Sequence, residues 1–271
     1  MPELPEVETT LRGIYPHLIG RRIHALVVRN ADLRWPLPAG LGSRLQGQVI
    51  NGITRRAKYL LFALDRGWLI LHLGMSGSLR IVLNAEPPEK HDHVDIVFSP
   101  DRLLRFHDPR RFGALLYTKQ PPGRHKLLRD LGPEPLGDQC TGEYLYQQSR
   151  GRKQAIKGFI MDSRVVVGVG NIYASESLYR SGIHPLRAAG RIALPRYVRL
   201  MDAIRQVLRA SIAAGGTTLR DFVGESGQTG YFIRKLQVYG REGAACLKCG
   251  GAIRQLRIGQ RASFYCPNCQ R

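Results

Sequence analysis

Apolar residues recur at helical spacing almost from the start of the chain. Val7, Leu11, Ile14 and Leu18 fall on one face, behind a start carrying Pro5 and the acids Glu6 and Glu8, residue types that a first helical turn accommodates. From Ile23 to about Tyr117 the pattern shortens to β-rich runs at 26–28, 59–64, 68–73, 94–98, 103–106 and 114–117, broken by Gly, Pro and Asp. Short strands in that number predict a β-sandwich or barrel. The polar, Pro- and Gly-bearing stretch 119–126 ends the strands, and helical spacing returns over 142–148, 153–161, 172–179 and 197–212. In the last of these Val198, Met201, Ile204, Leu208 and Ile212 share a face, and Gly215-Gly216 stops it. Residues 217–230 carry three glycines among polar residues, the composition of a mobile loop that closes over a ligand. The chain has no internal repeat.

A chain of 271 residues with 43% hydrophobic content can bury a sizeable core, and at this length two compact units are expected. Lys and Arg number 41 against 21 acids, giving a formal charge of +20, which makes a polyanion such as nucleic acid the natural partner. Charge alone identifies no chemistry. The start, Met1-Pro2-Glu3-Leu4-Pro5-Glu6, lacks a basic leader and an apolar core, and no unbroken apolar run approaches the roughly 18 residues of a membrane span. A soluble cytoplasmic protein, associated with the nucleoid and not with a membrane, is expected.

Four of the five cysteines crowd the C-terminus as Cys246-x2-Cys249 and Cys266-x2-Cys269, with Cys140 apart from them. Two thiolate pairs, each on a tight knuckle and separated by enough chain for a hairpin, can close one tetrahedral Zn²⁺ site; two disulfides are the alternative. A site with four protein ligands has no open position, so a zinc here is structural. Between the pairs, 253–258, Gly259-Gln260 and 261–265 predict a hairpin bearing Arg254, Arg257 and Arg261, suited to a DNA groove.

Several separated segments carry a more specific signal. They are Pro2-Glu3-Leu4-Pro5-Glu6-Val7-Glu8, Arg56-Ala57-Lys58-Tyr59-Leu60, His72-Leu73-Gly74-Met75-Ser76-Gly77, Lys90-His91-Asp92-His93, Asp108-Pro109-Arg110-Arg111-Phe112-Gly113 and Gly168-Val169-Gly170-Asn171-Ile172-Tyr173, together with the cysteine hairpin. Along nearly the whole chain this sequence resembles the formamidopyrimidine-DNA glycosylases. The resemblance implies an α+β fold: an N-terminal β-sandwich with an N-terminal helix over 1–130, a helix-two-turn-helix domain over 131–236 that includes the 217–230 loop, and a zinc-finger β-hairpin over 237–271. DNA would lie in the cleft between the halves, one structural Zn²⁺ would be held by Cys246, Cys249, Cys266 and Cys269, and the protein would act as a monomer. The implied substrate is double-stranded DNA containing oxidised purines or abasic sites.

The chemistry suits these residues. With Met1 removed, Pro2 exposes a secondary amine, and an α-amino group near pKa 8 is far more often neutral at pH 7 than a lysine near 10.4. Such an amine can attack the anomeric carbon, expel the base and leave an iminium that acidifies neighbouring hydrogens for elimination. An acylated proline nitrogen has no available lone pair, so Met1 must go first. The resemblance makes Glu3 the acid that protonates the sugar ring oxygen, Lys58 a proton donor in β-elimination and Arg261 a participant in δ-elimination, with a supporting place for Glu6. A glycosylase acting in a duplex must turn its target out of the stack. The resemblance assigns the filling of that vacancy to Met75, Arg110 and Phe112, and phosphate contacts to His91, Arg152, Lys157 and Asn171.

Blander roles compete with these. Pro2 and Glu3 would by themselves be a frayed terminus, Lys58 and Lys157 solvated charges, and Met75 and Phe112 core residues. Asn171 could be an N-cap, or mark a helix start whose free N–H groups bind phosphate; the glycine run before it is no dinucleotide fingerprint, because the third glycine would fall at Tyr173. His91 and His93 could share a strand face and bind a metal, as in a nuclease. A sibling glycosylase for oxidised pyrimidines and a non-catalytic zinc-ribbon protein are the alternative functions. Met75, Arg110, Phe112 and the 217–230 loop favour the purine type, and the N-terminal motif argues against a mere binding module.

Overall fold

The computed structural model describes residues 2–83, 86–216 and 232–271. The chain divides into two compact units. One runs to Arg129 and regains the chain at Ala214; the other comprises Asp130–Ala213 and continues from Phe232 to Arg271.

The first unit opens with helix α1 (Leu4–Leu18), which begins on a Pro at its first turn and buries Val7, Ile14 and Leu18. Strand β1 (Ala25–Val28) and a short helix α2 (Leu41–Leu45) follow, then β2 (Ile50–Arg56), β3 (Tyr59–Leu64), β4 (Gly67–His72), β5 (Ser78–Leu83), β6 (Asp92–Ser99), β7 (Arg102–His107) and β8 (Ala114–Thr118). They form two antiparallel four-stranded sheets, ordered β1-β6-β7-β5 and β2-β3-β4-β8. Leu60, Phe62, Leu69 and Leu71 of one sheet share a core with Leu79, Val94, Ile96, Leu104 and Phe106 of the other, and α1 closes it. This is the expected β-sandwich with its N-terminal helix.

Strands β2 and β5 and helix α2 escaped the sequence pattern. In β2, Asn51-Gly52 interrupts the apolar run, and the register shifts between Ile50 and Gly52, so alternation is lost where the bulge lies. β5 follows a Gly-Met-Ser-Gly turn and owes its place to continuous pairing with β7. Neither irregularity is a property of local composition.

The first sheet carries a buried ionic cluster. Arg105 of β7 is only 2% exposed; its Nε and Nη2 donate to the two oxygens of Asp95, each at 2.9 Å, and its Nη1 to the carbonyls of Glu86 and Pro87. Asp92, equally buried, accepts from Arg80 and His107 and from the Glu89 N–H. Burial opposes ionisation of Asp95, but hydrogen bonds from Arg105 and Arg29 outweigh it and hold the carboxyl below its ordinary range. In Asp92 burial is likewise overcome, by the Glu89 N–H and by His107 and Arg80.

The second unit contains α3 (Gly142–Ser149), α4 (Ile156–Ile160), α5 (Asn171–Arg180) and α6 (Leu194–Ala213), then the hairpin β9 (Arg254–Ile258) and β10 (Arg261–Tyr265). Thr141 caps α3, its hydroxyl accepting from the Tyr144 N–H at 3.1 Å. The expected helix over 153–161 is shorter, because the chain from Arg150 to Gln154 is spent in turns and in backbone bonds to 189 and 190. Residues 217–230 lie outside the described residues.

Arg105→Ala leaves buried Asp95 without its main counter-charge, and a loss of about 3–5 kcal/mol is expected in urea unfolding. In the parent protein the depressed carboxyls contribute stability fully above their unfolded pKa of about 3.9, and that contribution is lost as pH falls through their lower folded values. The urea midpoint should therefore hold from pH 7 to about 5 and drop steeply below about 4; a midpoint indifferent to that interval would contradict the assignment.

Candidate active site and metal centre

Pro2 is buried, and the chain enters α1 directly behind it. Glu3 is the N-cap of α1 and Glu6 its third residue; they form a reciprocal capping box in which the Glu3 N–H donates to Glu6 Oε2 at 2.8 Å. Both acids are nearly inaccessible, at 4% and 3%. The terminus is therefore held and not frayed.

Lys58 sits half-buried on the two-residue turn between β2 and β3, where Arg56 pairs with Tyr59. Ala57 ahead of it takes a left-handed conformation at φ 55°. Arg55 steadies this turn: its Nη1 donates to the Ala57 carbonyl and its Nε to Glu8, both at 2.9 Å. Glu8 also pairs with Arg12; burial opposes its ionisation, but Arg55 and then Arg12 bring its pKa below the usual range. The second acid of α1 thus ties the helix to the lysine turn, a role its position in a first turn does not reveal.

His72 is a residue that sequence reasoning passed over. It ends β4 opposite Tyr59, with ring centroids 4.8 Å apart, and its Nδ1 accepts from the Gly74 N–H at 2.9 Å. Burial first, then the nearby charges of Lys58 and Arg34, brings its pKa down to about 4. It is a neutral imidazole beside the lysine, with its proton on Nε2. Its register opposite the residue after Lys58 is set by the pairing of β3 with β4, and no local pattern marks it in the sequence.

Met75, Arg110 and Phe112 occupy two turns locked together. Asp108, fully buried, accepts from Ser76 Oγ at 2.8 Å and from the Gly113 N–H at 2.7 Å, while the Arg110 N–H donates to Ser76 Oγ. Gly74 packs so tightly on this turn that a Cβ there would lie 2.4 Å from the Phe112 carbonyl carbon. Phe112 is 39% exposed with the Arg110 guanidinium 5.1 Å from its ring centre, and Met75 is half-buried. His91 precedes β6 and stands edge-on to His93 and His107. His93 is buried with Nε2 against the Asp108 carbonyl at 2.8 Å, so that nitrogen is committed to the turn.

In the second unit Asn171 is the first residue of α5 and Gly170 the N-cap, so the N-cap alternative does not hold. Its Nδ2 donates to the Tyr239 hydroxyl at 3.3 Å. Buried Glu176, on the same helix, accepts from the N–H groups of Gln237, Val238 and Tyr239, fixing the strand of chain that delivers that tyrosine. Arg152 is exposed. Lys157 differs from the solvated charge expected: it is 1% exposed, and its Nζ donates to the Ala262 carbonyl at 3.0 Å and Ser263 Oγ at 2.7 Å. Those residues adjoin Arg261, which is exposed at the start of β10. Lys157, Met161, Asp162 and the hairpin turn line a cavity of about 400 Å³.

The sulfur atoms of Cys246, Cys249, Cys266 and Cys269 lie within 4.8 Å of one another. Cys246 and Cys269 are 3.9 Å apart and Cys249 and Cys266 3.5 Å, near the edge of roughly 3.8 Å that four Zn–S bonds of about 2.3 Å generate in a tetrahedron. A disulfide needs about 2.05 Å, so that alternative falls. Tyr179 Oη lies 3.1 Å from Cys246 Sγ, and the Lys248 N–H points at the same sulfur, polar support that suits thiolates. Among the described residues this is the only cluster of metal-ligating type, and His91 and His93 join no third ligand. Cys140 is a packing residue, buried 3.6 Å from Met201 Sδ, its thiol pushed up to about 11 mainly by burial.

Three family models match: the formamidopyrimidine-DNA glycosylase N-terminal domain over residues 1–115, the helix-two-turn-helix domain of the same glycosylases over 131–223, and a zinc finger found in these enzymes and in isoleucyl-tRNA synthetases over 243–271. Formamidopyrimidine-DNA glycosylases of Methylococcus capsulatus and Syntrophotalea carbinolica are 60% and 59% identical over all of both chains. Among solved structures, the Fpg protein of Thermus thermophilus is 36% identical with a TM-score of 0.88, covering 99% of this chain and 98% of its own. Lactococcus lactis Fpg, crystallised with DNA containing an abasic site, is 33% identical with a TM-score of 0.90 over all of both chains.

One zinc per chain is expected by elemental analysis. Cys249→Ser should lower the ratio well below one and weaken duplex DNA binding, since the hairpin loses its anchor; full retention of metal would contradict a four-thiolate site.

Proposed function

The chain belongs to the formamidopyrimidine-DNA glycosylase family, and from that premise we propose that it excises oxidised purines from double-stranded DNA through the amine of Pro2 and then cuts the strand. The observation that carries this reading is the rigid mounting of the N-terminus. A buried Pro2 and the Glu3–Glu6 capping box hold at the head of α1 the nitrogen that becomes a secondary amine once Met1 is removed, and the Glu8–Arg55–Ala57 chain ties the Lys58 turn to the same helix. Nucleophile and proton donor then share one scaffold.

Once Met1 is removed, the Pro2 nitrogen bonds to the anomeric carbon and the glycosidic bond breaks, its electron pair leaving with the base. Glu3 protonates the sugar ring oxygen, the ring opens and an iminium forms. Loss of a proton from the adjacent carbon expels the 3′ phosphate, with Lys58 in the proton traffic. A second elimination, assisted by Arg261, expels the 5′ phosphate, and water hydrolyses the remaining adduct to free the amine. His72, neutral beside Lys58, adds no positive charge to that neighbourhood at physiological pH. The zinc, with its four protein ligands, holds the hairpin that bears Arg261.

Oxidised purines are favoured over oxidised pyrimidines by Met75, Arg110 and Phe112, which suit the filling of a vacated stack and hydrogen bonding to the base left behind. The Lactococcus lactis relative has been crystallised with DNA containing a formamidopyrimidine form of guanine. Phosphate contacts fall to His91, Arg152 and Asn171, and Lys157 serves them by fixing the hairpin. No helix among the described residues is long and apolar enough to cross a membrane, and a charge of +20 favours residence on DNA. The protein acts as a monomer in the cytoplasm, on the nucleoid.

Borohydride should trap a covalent complex between Met1-processed protein and 8-oxoguanine or abasic duplex, by reducing the iminium to a stable amine. Material retaining Met1 should give none. Absence of the adduct with processed protein would sink the amine mechanism, and faster excision of oxidised pyrimidine than of oxidised purine on matched duplexes would transfer the chain to the sibling specificity.

A further inference from the structure

The end of α5 meets both cysteine knuckles. Tyr179, in the last turn of the helix, reaches the first, its Oη 3.1 Å from Cys246 Sγ. The chain just beyond reaches the second: the Gly182 carbonyl accepts from the Arg271 N–H at 3.0 Å, and the Ile183 carbonyl from Gln270 Nε2 at 2.9 Å. Gly182 takes a left-handed conformation at φ 69°, and a Cβ there would stand 3.3 Å from the Cys269 carbonyl oxygen. The metal-binding end of the hairpin is thus seated on a helix from an earlier part of the chain, and one contact of that seat falls on a metal ligand.

The four sulfurs are not equally placed. Cys246 is 3% exposed, and two donors address it, the Tyr179 hydroxyl and the Lys248 N–H. Cys249 is exposed, and its support is Asn268 Nδ2 at 3.8 Å. A zinc-bound cysteine is a thiolate without a proton to give, so in the metal-bound protein the Tyr179 hydroxyl is the donor. Tyr179 is itself buried, so its hydroxyl depends on this acceptor, and a hydrogen bond to an ionised acceptor is stronger than one between neutral groups. Four thiolates also carry more negative charge than one Zn²⁺ neutralises. A donor aimed at one of them, at a sulfur closed off from water, offsets part of that excess.

We propose that Tyr179 is a positioning residue for the structural zinc: its hydroxyl donates to the metal-bound thiolate of Cys246, which tightens the metal and locks the first knuckle to α5. The helix and the hairpin are then joined through a ligand of the metal and not by packing alone. The bond touches neither DNA nor the reacting atoms, and the inference stands on the four-thiolate site whatever the chemistry at Pro2. Cysteine spacing does not point to this residue, which lies 67 positions before the thiolate it serves.

The test is Tyr179→Phe in the full-length protein, which removes the hydroxyl and keeps the ring. Tyr144→Phe is the control, since the hydroxyl of Tyr144 donates to the Val165 carbonyl instead, at 3.0 Å. Zinc affinity is read by competition with a chromophoric chelator, and the state of the sulfurs by the thiolate-to-metal charge-transfer band of the cobalt(II)-loaded protein. Tyr179→Phe should bind zinc about tenfold more weakly than the parent. Its cobalt band should move to longer wavelength, because a thiolate without the hydrogen bond gives up its electron more readily. Tyr144→Phe should leave both the band and the affinity unchanged. A tyrosine that acts by packing alone leaves the band where it was. Parent-like affinity or an unmoved band in Tyr179→Phe, or an equal loss of zinc affinity in Tyr144→Phe, would overturn the proposal.

Discussion

The nucleophile proposed at Pro2 must be held still, and the end of a chain is where order is hardest to keep. The capping box between Glu3 and Glu6 meets that requirement by making the terminus part of a helix. The helix is in turn immobilised because Val7, Ile14 and Leu18 are built into the sandwich core. Its polar side then becomes a fixed platform, from which Glu8 reaches Arg55 and Arg55 reaches the turn before Lys58. Remove the helix start and Pro2, Glu3 and the Lys58 turn lose their common frame.

The same economy governs the acids elsewhere. Only 21 acidic residues stand against 41 basic ones, and several of the acids are spent inside the fold: Asp92 and Asp95 on arginines, Asp108 on two turns, Glu176 on three backbone N–H groups. Each is buried and satisfied, so it serves as an internal fastener. Acids withdrawn in this way leave the exposed surface more basic than the formal count suggests, which is what a ligand of uniform negative charge rewards.

The sequence pattern made the broad architecture legible because alternation, helical spacing and cysteine spacing are local properties. The sandwich, helix α1, helix α6 and the thiolate cluster follow from them directly. Legibility ended where position depends on partners distant in sequence. Strand β5 exists through pairing with β7, and His72 matters because register places it opposite Tyr59. Composition offers no sign of such contacts. The roles proposed for Pro2 and Glu3 came only from family resemblance, since alone these residues read as a frayed terminus.

Lys157 shows how a correct expectation about charge can miss a location. A lysine in a basic DNA-binding chain reads as a surface contact, yet this one is buried with its ammonium on the Ala262 carbonyl and Ser263 hydroxyl. Burying an ammonium costs free energy, so the hydrogen bonds it makes must matter to the fold. A two-stranded hairpin such as β9–β10 is marginal by itself. Zinc fixes its open end through the cysteine knuckles, and the lysine fixes the strand beside its turn. Arg261, between those two fixtures and next to the lysine's acceptor, is therefore presented on a braced strand. A buried charge can in this way set the position of an exposed one.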